Sequence, residues 1–187
     1  MLIGIYSSTA GSGKSSIAGH LVTHYGFTHL SFAEPLKAMV GTLLREFGYS
    51  LQDAHHMTHV AKSAPIPEID DRLDARHLLR TLGTEWGRDC VHPELWLRCW
   101  TFRYMQLQLQ GAKRVVVDDM RFPNEAALLD RFGGQLWKVN RPEADAGSAP
   151  FGGSCLKNSV GASPGRFRNR RSLVTTTVDL PGIGTIS

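Results

Sequence analysis

The chain has 187 residues, 42% of them hydrophobic, and a formal net charge of +4. That length and content suit one domain of ordinary size with a core of its own, and no apolar run approaches the ~20 residues of a membrane span. Four arginines near the C-terminus, Arg166, Arg168, Arg170 and Arg171, account for the charge excess, so the body of the protein is close to neutral and is not a basic nucleic-acid-binding surface.

Leu2 to Tyr6 reads as a strand, and Met1 leads into it without a basic leader or cleavage site, so no secretory signal is expected. The string from Gly4 to Ser16 then runs from this strand through a glycine-containing turn to Gly13-Lys14-Ser15, which opens a helix. That order builds a phosphate cradle. Backbone N–H groups curl around an anion at a helix N-terminus, where the helix dipole adds positive potential. Gly11 and Gly13 supply the positive φ that a close backbone approach requires. Gly11, Ser12, Gly13, Lys14, Ser15 and Ser16 are therefore the candidate phosphate-binding residues. Lys14 can reach the β- and γ-phosphates, and the Ser15 hydroxyl can hold Mg²⁺. The P-loop pattern has a first glycine where this chain has Ser8.

Ile17, Ala18, Leu21, Val22 and Tyr25 make one helical stripe after the loop, and Gly26 stops it. Phe27 to Phe32 reads as a second strand. Glu34 to Phe47 is the clearest helix, with Leu36, Met39, Val40, Leu43, Leu44 and Phe47 at three- and four-residue steps. Residues 50–72 look irregular, because Pro65 and Pro67 break any long helix. His55 and His59 stand one helical turn apart there, a spacing that serves a metal only with further ligands; a solvated face is the default expectation. Helical patterns resume with Leu78, Leu79, Leu82 and Trp86, and after Pro93 with Leu97, Trp100, Tyr104 and Leu107. Trp86 shares the Leu78 and Leu82 stripe, as a core residue would, whereas Arg80 and Arg88 fall off it.

Val115-Val116-Val117 is a buried strand that ends in Asp118-Asp119. Beside a P-loop, an acid at such a strand end holds Mg²⁺ directly or through water. Arg121 follows from the same sheet edge and is placed to neutralise phosphate charge. Pro123 to Phe132 is a short helix whose start carries Asn124 and Glu125, placed either to contact a ligand or to form a polar first turn, the latter being the expectation for Asn124, and Gln135 to Asn140 is a further strand. Strands alternating with helices give an α/β chain with a mostly parallel sheet flanked by helices. The loop after the first strand then lies at the carboxyl edge of the sheet, where such folds bind ligands.

Four segments together resemble the deoxynucleoside monophosphate kinases of bacteriophages, within the P-loop nucleoside monophosphate kinase superfamily. They are the P-loop, Ser31-Phe32-Ala33-Glu34-Pro35-Leu36-Lys37, Leu82-Gly83-Thr84-Glu85-Trp86-Gly87-Arg88-Asp89, and Asp119-Met120-Arg121-Phe122-Pro123-Asn124-Glu125-Ala126 with Gly133-Gly134 beyond it. The resemblance implies a P-loop kinase three-layer fold over residues 1–142, with a substrate-binding or lid insertion at about 50–92. It implies transfer of the ATP γ-phosphoryl group to a deoxynucleoside 5′-monophosphate, with ATP and Mg²⁺ as cofactors. By position, Lys14, Arg88 and Arg121 would be catalytic. Ser15 and Asp119 would belong to the magnesium site, Asp119 being preferred to Asp118 because it leads the family-like string. Lys37, Arg80, Glu85, Trp86, Arg88 and Asp89 would bind the acceptor nucleotide. Another small acceptor, such as dephospho-coenzyme A, and a nucleotide-binding module without turnover are the competing readings.

The resemblance stops near Arg141. From Gly147 to Ser187, Gly, Ser and Pro supply 16 of 41 residues, which leaves no helical periodicity. Residues 143–187 read as a divergent tail, largely loop or disorder, or as the product of a shifted reading frame that costs the last sheet strand; Leu173 to Leu180 alone has strand character. This basic tail is the one segment suited to nucleic acid. Nucleotides are the expected partners, with no membrane and with a homodimer as an option. Cys90, Cys99 and Cys155 form no CxxC pair and are odd in number, which points to free thiols and a cytoplasmic setting.

Overall fold

The computed structural model describes residues 1–9, 11–140 and 175–179. In chain order the elements are β1 (Leu2–Tyr6), α1 (Lys14–Tyr25), β2 (Thr28–His29), α2 (Glu34–Glu46), α3 (Leu51–His59), β3 (Pro65–Ile66), β4 (Asp70–Asp74), α4 (Ala75–Thr81), a π-helix (Leu82–Val91), α5 (Leu95–Leu109), β5 (Val115–Val117), α6 (Pro123–Arg131), β6 (Gln135–Asn140) and β7 (Thr175–Asp179). The chain divides into two compact units, one formed by Met1–Leu30 with the residues from Leu107 onward, the other by Ser31–Gln106.

The first unit is built on a five-stranded sheet of order β2-β5-β1-β6-β7, parallel at every pairing. Successive residues of β1 face opposite ways. Ile3 and Ile5 turn toward α1 and pack with Ala18, Leu21, Phe27, Val116 and Val139. On the other face Gly4 leaves room for Leu129, Met120 and Leu136, and a Cβ at this position would overlap the first two. Helix α6 supplies Leu129, so α1 and α6 cover opposite faces and the unit has three layers. Ile3, Ile5 and all three valines of β5 are fully buried, and each such side chain contributes about 1.5–3 kcal/mol. An apolar run with no polar alternation is what a strand enclosed on both faces requires.

The second unit gathers Val40 and Leu44 of α2, Ala54 and Met57 of α3, Ile66 of β3 and Ala75 of α4 around one core. Phe32 stacks on Trp100, and Trp100 on Tyr104, both at 5.1 Å. The stretch that looks irregular in sequence is ordered. Ser50 caps α3 by accepting a hydrogen bond from the Asp53 N–H at 3.0 Å, and the two prolines lie at and beside an antiparallel pairing of β3 with β4. Helix α3 is short and buries only Ala54, Met57 and Thr58, too few positions to show a period. The expected insertion at about 50–92 lies inside this unit. Strand β2 is shorter than the expected Phe27–Phe32, although its pairing continues through the Leu30 N–H to the Val116 carbonyl at 2.9 Å. Of the tail, Thr175–Asp179 forms β7 beside β6, in register from Leu136↔Thr175 to Asn140↔Asp179. This strand falls within residues 173–180, the stretch of the tail with strand character in sequence; the other calls on the tail, including its arginines and Cys155, lie outside the described residues.

Candidate functional site

Gly11 and Gly13 take φ values of 71° and 91°, as the turn requires. Gly13 is the residue before the first turn of α1, and that turn contains no acidic side chain. The first N–H groups of a helix have no intrahelical partner, so Lys14, Ser15 and Ser16 present donors and the positive end of a 12-residue helix to any anion there. Ser12 is buried, and its hydroxyl accepts from the Lys14 Nζ at 3.1 Å; the Thr9 carbonyl accepts from the same ammonium at 3.4 Å. Lys14 is thus folded back along the loop. Burial pushes its pKa down from the ordinary value, Asp118 opposes this, and Arg121 adds to it.

The end of β5 places an acid beside this loop. Asp118 is held by hydrogen bonds from Ser15 and His29, and these outweigh burial, which pushes the carboxyl up, so that its pKa lies below the ordinary value. The His29 Nε2 to Asp118 Oδ1 distance is 2.6 Å. The carboxylate brought to Ser15 is therefore that of Asp118, whereas the sequence reading favoured Asp119; Asp119 is half-buried. Sequence reasoning also missed His29. The one signal for it was its position at the end of the strand that neighbours β5.

Arg121 is exposed and acts electrostatically on Lys14. Its backbone is fixed by Glu125, a buried acid whose Oε2 accepts from the N–H groups of Arg121 at 2.7 Å and Phe122 at 3.0 Å. Glu125, with Pro123 opening the helix, is the cap that aims the loop, so its role is structural. Ser15 and Asp118 offer hard oxygen ligands, a hydroxyl and a carboxylate. That donor set fits magnesium, which takes one or two protein oxygens and completes its shell from phosphate and water.

The remaining candidates belong to the second unit. Lys37 donates to Glu34 at 3.5 Å, and Glu34 also faces His59 at 3.6 Å. Burial pushes the Glu34 carboxyl up, but Lys37 and His59 hold it below its ordinary value. The His55 and His59 rings stack at 3.9 Å, and among the described residues no group of three His, Cys, Asp or Glu side chains is placed to hold a metal. Arg80, Glu85 and Asp89 are exposed, and Arg88 is half-buried. Trp86 is 43% exposed and lines an apolar recess with Met39, Leu43, Leu78, Thr81 and Leu82. Glu85 to Asp89 ride on the π-helix, a wide turn that is rare in proteins and concentrates at functional sites. Two close contacts shape it: Trp96 donates its indole N–H to the Gly83 carbonyl at 2.7 Å, and a Cβ on Gly87 would lie 2.5 Å from the same indole.

A family model described as deoxynucleotide monophosphate kinase matches residues 42–149. A protein of Acanthamoeba polyphaga mimivirus named "Putative deoxynucleotide monophosphate kinase" is 32% identical over 154 residues, which cover 76% of this chain and 75% of that protein. The crystal structure of TT1252 from Thermus thermophilus aligns over 76% of this chain and 66% of its own, with a TM-score of 0.39 and 22% identity. No helix among the described residues is long and apolar enough to cross a membrane.

Proposed function

The chain belongs to the deoxynucleotide monophosphate kinase family, and on that footing we propose that it transfers the γ-phosphoryl group of ATP to a deoxynucleoside 5′-monophosphate, releasing ADP and the deoxynucleoside diphosphate. The observation that carries the reading is the grouping of Lys14, Ser15 and Asp118 at the N-terminus of α1. Phosphoryl transfer asks little of general bases; it asks for alignment of two anions and compensation of charge. The backbone from Gly11 to Ser16 cradles the triphosphate. Lys14 leaves its loop contacts for the β- and γ-oxygens, and Arg121 offsets the charge that develops on transfer. Ser15 and Asp118 are the residues that would hold magnesium, and magnesium would supply compensation of phosphate charge there. Lys37, Arg80 and Arg88 are assigned to the acceptor phosphate, for which a guanidinium fork is well shaped. Glu85, Trp86 and Asp89 are assigned to its base and sugar; the exposed indole offers a stacking face.

A panel of deoxy- and ribonucleoside monophosphates, with dephospho-coenzyme A included, tests this with Mg·ATP and ADP formation as the signal. ADP should appear with at least one deoxynucleoside monophosphate and lose most of its rate of formation with Lys14→Ala. Tight ATP binding without turnover of any acceptor would leave a nucleotide-binding module and overturn the kinase reading.

A further inference from the structure

We propose that His29 is a positioning residue for the magnesium-facing carboxylate of Asp118; the proposal rests on the phosphotransfer reading above. His29 closes β2 at the register opposite Val116, one strand away from the acid that follows Val117. Its Nε2 lies 2.6 Å from the Asp118 Oδ1, with 41% of the imidazole exposed and 10% of the carboxyl side chain. An ionised carboxylate has no proton to give, so the hydrogen of this contact resides on Nε2 and the imidazole donates. One Asp118 oxygen is thereby fixed from the β2 side while Ser15 meets the carboxylate from the α1 side. A carboxylate anchored at one oxygen by a rigid strand has fewer rotamers to lose when a cation arrives. Partners of this kind, one bond removed from the metal, typically change its affinity about 10- to 100-fold.

The experiment measures Mn²⁺ binding by electron paramagnetic resonance in the presence of a non-hydrolysable ATP analogue, for the wild-type chain, His29→Ala and His29→Gln. Binding of the metal-free analogue is followed in parallel by fluorescence, and circular dichroism verifies the fold. His29→Ala should weaken Mn²⁺ about tenfold or more, with metal-free analogue affinity unchanged. His29→Gln, whose amide N–H reaches the position of Nε2, should restore most of the loss. Equal Mn²⁺ affinity in all three chains overturns the assignment, as does a loss of metal-free binding that matches the loss of Mn²⁺. A wild-type chain that binds no analogue at all overturns the phosphotransfer reading itself, and that result is distinct from the others.

Discussion

Burial pushes the Lys14 ammonium down and Asp118 opposes that, while burial pushes the Asp118 carboxyl up and His29 and Ser15 hold it below its ordinary value. On the proposed function a triphosphate would bring negative charge to the Lys14 ammonium, which here contacts the Ser12 hydroxyl and the Thr9 carbonyl. Lys14→Ala is expected to lower kcat about 100-fold or more, measured by coupled ADP release. The two adjacent aspartates separate cleanly by substitution. Asp118→Asn should reduce magnesium-dependent turnover at least about 100-fold, while Asp119→Asn retains much more activity; the reverse order would return the metal to Asp119. Glu34 gives a pH prediction. Its carboxyl lies below its ordinary value because Lys37 and His59 favour the ionised form. The ionised group therefore stabilises the folded chain fully above pH 4.5, the ordinary value, and the contribution is lost as pH falls through the lowered value. At 41% exposure solvent screening keeps it under about 1 kcal/mol. Thermal unfolding of wild type and Glu34→Gln should differ slightly near neutrality and converge in acid.

Two elements owe their shape to single side chains. The π-helix fits over Trp96 because residue 87 lacks a Cβ. Gly87→Ala must shift the indole or the turn, at a cost of about 1–3 kcal/mol, readable as a lower denaturation midpoint. The Thr81 hydroxyl, just before that helix, is buried without a hydrogen-bond partner. Thr81→Val removes a desolvated polar group at nearly constant volume, so unfolding free energy should stay level or rise by up to about 1 kcal/mol. A marked loss would mean that the hydroxyl has a partner in solution. At the start of α6, Glu125 joins the loop to its helix by two backbone bonds, which makes the Arg121 position a property of the element and not of the arginine.

For the whole molecule, β7 changes what the last segment means. It covers the edge of β6 along five residue pairs, from Leu136↔Thr175 to Asn140↔Asp179. Ending the chain after Asn140 would leave β6 as an open edge, and open edges of apolar strands seek other chains. The truncated protein is expected to unfold at least about 5 °C lower and to elute partly as larger species in size-exclusion chromatography. Unchanged melting and a clean monomer-sized peak would show that β7 adds nothing to the sheet.

Local chemistry made much of this protein legible from its residues. The glycines of the turn before α1, the triple valine, the Glu34 helix and the Gln135 strand each carry a signal within a few positions, because backbone torsions, capping and apolar period are short-range properties. Family membership was equally legible, since it is written in strings such as Gly-Thr-Glu-Trp-Gly-Arg. What folding alone decided was which of two neighbouring aspartates meets Ser15 and that His29 braces it. It also decided that Glu125 serves the backbone and that a strand from the tail closes the sheet. Those relations join residues as distant in the chain as Ser15 and Asp118, or His29 and Asp118 at 89 positions, and only the packing of parallel strands with α1 brings such positions within hydrogen-bonding distance.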